Sequence, residues 1–333
     1  MKPKHTITLA DVATAANVSK MTASRALRDA GDVSDKSRDA VLRAARDLGY
    51  VGNHVAGSLS SQRSDLIGVV VPSLTNIVFA EVLSGIADAL KGTVKQAVFG
   101  VTDYEADTEY DVIRSMLSWQ PAGLIVTGLD QSEATRRLLA QADMPVVQIM
   151  DTNGDPVDVC VGFSQIEAGA SMAQALLAEG RRRIGYLGCG LDRDTRAAKR
   201  LRGFTEALSD AGVALAARDI HPGASTMAAG RRMTANLLAT TPDLDAIYYS
   251  NDDLAAGGLF HCVATGLSVP SRLRLAGFNG LDFVESLPAP LATTRTPRRE
   301  IGVAAAEIIL DPSGQRGSGR HRSFVPQIIL PQA

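Results

Sequence analysis

The chain has 333 residues, 45% of them hydrophobic and 21% charged, with 34 Lys and Arg against 36 Asp and Glu for a formal net charge of −2. That balance excludes a disordered or fibrous chain and leaves room for about two domains of roughly 150 residues each. Cys160, Cys189 and Cys262 are too scattered for a metal site or a secreted disulfide framework; no run approaches the roughly 18 apolar residues of a membrane span and the N-terminus lacks a signal-peptide core, so a soluble cytoplasmic protein is expected.

Charge is unevenly spread. The first 64 residues carry ten Lys and Arg against six Asp, and the remainder 24 against 30. A basic head on an acidic body suits a protein with one end on phosphates. Within that head, Thr8 to Leu27 (TLADVATAANVSKMTASRAL) predicts two short helices joined by a tight turn. Thr8 caps the first helix with Asp11 completing a capping box, and Leu9, Val12, Ala13 and Ala16 share one face. Asn17 suits the left-handed turn, Val18 points back into the small core, and Ser19 caps the next helix. From Lys20 onward, Ala23, Ala26 and Leu27 face inward, which leaves Lys20, Met21, Ser24 and Arg25 on the face that would enter a major groove. Ser34, Asp35 and Ser37 open a third helix, with Val41, Leu42, Ala45 and Leu48 as its apolar stripe and Gly49 at its end. The Ser-rich stretch Asn53 to Ser64 is a weak helix former, yet Val55, Ala56 and Leu59 give it an apolar edge that needs a partner.

Beyond it the chain alternates apolar β-rich runs with helical patterns. LIGVVV, QAVFGV, GLIVTG and PVVQIMD read as strands buried on both faces, separated by amphipathic stretches at 79–90 and 109–119, the βαβ rhythm of a parallel sheet. A second set follows, with strands RIGYLG, LDAIYYS and LRLAGF and helices at 168–179, 197–211 and 253–265. Two such sheets make two lobes with a cleft between them, because ligands sit outside the carboxyl ends of parallel strands. The candidate cleft positions at those ends are Ser73, Asn76, Phe79, Asp151, Arg200, Asn251, Asp252 and Asn279. Arg200 carries the most weight, since a guanidinium at the cleft wall matches a carboxylate bidentately. The chain then returns to the first lobe through TPRREIGVAAAEIIL, the segment 313–320 reads as a flexible loop, and FVPQIIL rejoins the second lobe. There is no nucleophile elbow, no zinc-protease motif, no P-loop and no complete dinucleotide fingerprint, so no catalytic residue, metal ligand or cofactor is expected.

TLADVATAANVSKMTASRAL followed by LGYVGNHVAGSLSSQRSDLIGVVVP resembles the head and hinge of the lactose-repressor (LacI/GalR) family of bacterial transcription regulators. The likeness runs through nearly the whole chain. Blocks such as SKMTASRALR, VPSLTNIVFAEVLSGI, VGFSQIEA, YSNDDLAAG and AGFNGLDF are most like those of the family's gluconate-utilisation branch. The resemblance implies an all-α helix-turn-helix head (1–52), a hinge (53–65) and a periplasmic-binding-protein-like α/β core (66–333). Within the core, one lobe would span about 66–162 and 293–323 and the other about 163–292 and 324–333. It further implies a cytoplasmic homodimeric repressor that reads a pseudo-palindromic double-stranded operator. Its DNA contacts would be Thr8, Ser19, Lys20, Met21, Thr22, Ser24 and Arg25, with Asn53, His54, Ala56 and Leu59 of the hinge, Leu59 matching the leucine the family wedges into the minor groove. Its effector contacts would fall at Asn76, Phe79, Asp151, Arg200, Asn251 and Asn279. Many sugar-binding members carry acids where this chain has Ser164 and Asn279; neutral groups there beside Arg200 favour a sugar acid such as gluconate. A neutral sugar or a nucleoside is the other effector class, and a sugar-modifying enzyme with a fused head the remote one.

Overall fold

The structure is a computed structural model that describes residues 7–27, 32–51, 64–311, 313 and 321–331. It divides into two compact units, Met1–Ser64 and Asp65–Ala333.

The first unit is a trio of helices, α1 (Leu9–Ala15), α2 (Lys20–Leu27) and α3 (Asp35–Leu48). Each start is set by a side chain. The Thr8 hydroxyl accepts from the Asp11 amide while the Asp11 carboxylate accepts from the Thr8 amide at 2.8 Å, and Ser19 and Ser34 accept from the amides of Thr22 and Ser37. Asn17 takes the left-handed conformation (φ 52) that swings the chain from α1 to α2, and Gly49 ends α3 the same way. Val12, Ala13, Ala23, Ala26, Val33, Val41, Ala44 and Ala45 form the core. The stripe on α3 differs from expectation. Leu42 and Leu48 are exposed and Ala44 takes the inner face, because small residues let three short helices approach closely.

The second unit has two parallel sheets. The first contains β1 (Leu66–Val71), β2 (Gln96–Val101), β3 (Gly123–Thr127), β4 (Val146–Ile149), β5 (Val159–Gly162) and the short β11 (Arg322–Ser323), in the order β11-β5-β4-β3-β1-β2. The second contains β6 (Ile184–Cys189), β7 (Ala217–His221), β8 (Ala246–Tyr249) and β9 (Arg274–Ala276), in the order β7-β6-β8-β9. Between the strands run α4 (Ile77–Leu90), α5 (Ala106–Leu117), α6 (Glu133–Ala140), α7 (Gln165–Ala178), α8 (Thr195–Asp210), α9 (Met227–Thr240) and α10 (Asp252–Thr265), and α11 (Arg298–Leu310) returns to pack on α4.

One strand differs from expectation. QAVFGV (β2) is not buried on both faces; it is the edge strand of its sheet, and Phe99 is exposed. The last strand, β12 (Gln327–Ile329), pairs antiparallel with β10 (Thr293–Arg295), and Ile328 and Leu330 pack on the second lobe's core. A strand entering the second lobe beside β10 finds a free edge there, whereas β9 already pairs with β8 and bridges to Ala292.

Three helix pairs are pressed together at reciprocal glycines. A Cβ at Gly85 of α4 would stand 2.1 Å from the Arg299 carbonyl of α11, and one at Gly302 2.1 Å from that of Val82. Gly169 and Gly203 hold α7 against α8 in the same way, and Gly230 and Gly257 hold α9 against α10. Any side chain there would wedge the helices apart. The α7–α8 contact fixes the helix that carries Arg196 and Arg200.

Candidate functional site

The strand ends of both sheets open on one polar cavity of about 500 Å³. Ser73 and Asn76 follow β1. The Ser73 hydroxyl accepts from the amides of Thr75 and Asn76, and the Asn76 side-chain Oδ1 caps α4 by accepting from Val78 N at 3.1 Å. Phe79, one turn into α4, is buried and forms part of the floor. From the second lobe come Arg200 on α8, Asn251, which caps α10 and donates to Ser225 at 2.6 Å, and Asn279 after β9. Six of the expected effector residues, Ser73, Asn76, Phe79, Arg200, Asn251 and Asn279, therefore line one cavity.

Two do not. Asp151 is fully buried outside the lining, where its carboxylate accepts from Lys199 Nζ at 2.7 Å and from the Asn153 amide at 2.9 Å. Asp252 is likewise buried, accepting from Thr293 Oγ1 at 2.6 Å and from Leu281 N at 2.9 Å, and burial pushes its carboxyl up to about 6. Both are structural acids whose oxygens are spent on the protein; Asp253, the next residue, lines the cavity instead.

Among the wall residues that sequence reasoning missed are Tyr104, Gln165, Arg193 and Arg196. A signal for Arg196 was available: it lies four residues before Arg200, so both side chains leave the same face of α8. Arg196 sits 5.4 Å from the centroid of the Phe79 ring and beside Asp194, whose carboxyl is held below its usual range by the neighbouring arginines against the opposing effect of burial. Asp103 and Tyr104 are non-glycine residues in left-handed conformations (φ 52 and 63), as are Met150 (φ 71) and Asn279 (φ 116), and all four line the cavity. Backbone strain of this kind, about 1–3 kcal/mol per residue, collects at binding sites.

A second chamber of about 350 Å³ adjoins the first and shares Tyr104, Arg193, Asp194 and Arg196 with it. Glu109 lines it, and burial pushes its carboxyl up to about 7 against the hydrogen bond from Gln131. Ion pairs cross from the second lobe to the first beside this chamber. Arg193 meets Glu105 at 3.2 Å, and the Lys199 ammonium meets both Asp130 and Asp151 at 2.7 Å.

On the first unit, Lys20, Met21 and Arg25 are exposed along α2, with Met21 at 70%. Arg25 pairs with Asp32, and Ser24 is half-buried. Thr8, Ser19 and Thr22 are engaged in capping bonds at the helix starts. Asn53, His54, Ala56 and Leu59 lie outside the described residues. Among the described residues no group of His, Cys, Asp and Glu is placed to hold a metal, and no helix is long and apolar enough to cross a membrane.

A helix-turn-helix unit joined to a two-lobed core with a polar cleft is the architecture of a DNA-binding transcriptional regulator. Residues 8–53 match bacterial regulatory proteins of the lacI family, and residues 64–328 match the periplasmic binding proteins and sugar binding domain of the LacI family. The chain belongs to that family. It is 40% identical over 304 residues to the HTH-type transcriptional regulator GntR of Pseudomonas aeruginosa, covering 91% of this chain and 88% of the relative. It is 37% identical over 310 residues to the regulator of the same name from Escherichia coli K12, covering 93% and 92%. A LacI family regulator from Silicibacter pomeroyi has a solved structure that superposes with a TM-score of 0.92 at 48% identity, over 97% of this chain and 98% of that one. These relatives are regulators rather than enzymes.

Proposed function

We propose that the protein is a cytoplasmic homodimeric repressor that binds a pseudo-palindromic operator and is released when a sugar acid, gluconate or a close relative, fills the cleft. The observation that carries the effector class is the cavity wall itself. Its size suits a small ligand, and guanidinium groups on and beside α8 share the lining with the side-chain amides of Asn76, Asn251 and Asn279 and the hydroxyl of Ser73. An anionic head with a hydroxylated tail matches that division. The names of the relatives support the same reading.

Two heads about one helical turn, roughly 34 Å, apart are needed for tight operator binding, since one makes too few contacts. The core offers apolar surface for pairing, with Leu74, Ile77 and Phe99 on the first lobe and Phe260 and Val263 on the second all exposed. A ligand can release DNA only by preferring the arrangement of the lobes that binds DNA less well, and couplings of about 1–3 kcal/mol translate into roughly 5- to 150-fold weaker operator binding. The test is fluorescence anisotropy of the full-length protein on an operator selected from random duplexes, titrated with gluconate, 6-phosphogluconate and glucose. Release by gluconate supports the reading; release by glucose alone refutes the sugar-acid assignment.

A further inference from the structure

We infer that Arg196, and not Arg200, grips the carboxylate of the effector, and that the cleft accepts sugar acids carrying one negative charge while discriminating against those carrying two. This rests on the sugar-acid reading above and narrows it.

Arg200 has little left to offer. One terminal nitrogen donates to Gln165 Oε1 at 2.6 Å and the other to the Ser250 carbonyl at 3.1 Å, and the guanidinium lies 3.9 Å from the centroid of the Phe278 ring. The side chain is buried, and its Nε is the nitrogen left without a partner. Each terminal nitrogen keeps a second N–H, but the guanidinium is pinned in place by Gln165, Ser250 and the Phe278 ring and its Nε is sealed inside the protein, so a carboxylate there would compete with two buried acceptors that depend on the same group. Arg200 thus braces the wall: it ties α8 to the start of α7 and to the end of β8.

Arg196, one turn earlier on the same helix face, is differently placed. Its Nε faces Asp194 Oδ1 at 3.5 Å, and Asp194 is itself held by accepting from the Ala197 amide at the start of α8. The Phe79 ring supports one side of the guanidinium. Neither terminal nitrogen donates to another described residue, although the side chain is mostly buried and lines both chambers. A planar guanidinium held from behind by an acid and from beneath by a ring presents two parallel donors, the geometry a carboxylate takes bidentately.

The other charged groups of the two chambers limit the charge of the ligand. Arg193 is occupied by Glu105 and by the Pro222 carbonyl. The larger chamber is also lined by Asp103 and Asp253, and the smaller one by Glu105, Glu109, Asp130 and Asp192. Among the described residues, a second anion on the ligand would meet carboxylates and arginines already engaged, and would lose its hydration without a partner.

Isothermal titration of the full-length protein with gluconate, glucarate, 6-phosphogluconate and the uncharged polyol sorbitol tests both halves. Wild type should prefer gluconate to sorbitol, with glucarate and 6-phosphogluconate at least about 10-fold weaker than gluconate. Arg196→Ala should weaken gluconate by about 100-fold or more, leaving it no better than sorbitol, as expected when one member of a desolvated charge pair is removed. Arg196→Lys keeps the charge beside Asp194 and so guards against misfolding; it should cost about 10-fold through loss of the fork. Arg200→Ala should still prefer gluconate to sorbitol while lowering the melting temperature. A wild type that prefers gluconate together with an Arg196→Ala variant that keeps the preference overturns the anchor and leaves the sugar-acid reading standing. Tight binding of glucarate or 6-phosphogluconate overturns the one-charge rule. A wild type that binds sorbitol as well as gluconate, or binds none of the four, overturns the sugar-acid reading and the anchor with it.

Discussion

Lys199 is the side chain whose removal should cost the core most for its size. Its ammonium meets Asp151 Oδ2 and Asp130 Oδ2 at 2.7 Å each and the Asn153 carbonyl at 2.8 Å, with 14% of the side chain exposed and Asp151 fully buried. Lys199→Met keeps the apolar stem and its packing but strips the charge. Asp151 is then a buried carboxylate with the Asn153 amide as its remaining donor. Breaking a buried pair from one side costs about 3–5 kcal/mol. The Asp130 arm, about a third exposed, adds little because water takes over that partner. For a domain of this size each kcal/mol moves the melting temperature by roughly 2–4 °C, so the variant should melt about 6–20 °C lower. Urea unfolding followed by circular dichroism measures the loss, and Asp151→Asn added to Lys199→Met should restore part of it by removing the uncompensated charge. A single variant within about 1 kcal/mol of wild type, or a double variant no more stable than the single, would refute the argument.

Gly169→Ala should destabilise the core by several kcal/mol, since the added Cβ would lie 2.0 Å from the Arg200 carbonyl of the facing helix; a melting curve unchanged from wild type would show that α7 and α8 can separate freely. The Glu109 carboxyl is raised from 4.5 to about 7, so the folded state keeps a proton that the unfolded chain has released; the stability this supplies at low pH is lost as pH rises through about 7. Glu109→Gln should therefore gain on wild type by about 2 kcal/mol between pH 5 and pH 8, and a difference in thermal melts that stays flat with pH would contradict the burial argument. In the head, Arg25→Ala should cost roughly 1–3 kcal/mol on the operator and much less on random DNA. Equal losses on both in anisotropy titrations would mean that Arg25, which pairs with Asp32, only positions the head.

The parts legible in the sequence are those governed by neighbours within about one helical turn. Thr8 and Asp11, Asn17, Ser19, Ser34 and Gly49 act on amides and dihedrals a few residues away, and the helix-turn-helix follows from them. The central strands β1, β3, β4, β6 and β8 announced themselves as short apolar runs because they are covered on both faces. β5, β7, β10, β11, α6 and α9 were not read: β7 (ARDIH) is a polar edge strand without an apolar run, and β5, β10, β11 and α6 are short, at four, three, two and eight residues. Tertiary structure decided which polar groups are left free to face the cavity. Asp151, Asp252 and Arg200 look like binding residues beside Asn76 or Asn251, but Asp151 meets its lysine 48 residues away, Asp252 its threonine 41 residues away, and Arg200 its glutamine 35 residues away. A local pattern states what a side chain can bind, whereas the distant residues folded against it determine whether that capacity is already spent. That is why Arg196, with the plainer sequence context, keeps an open fork while the more conspicuous Arg200 does not.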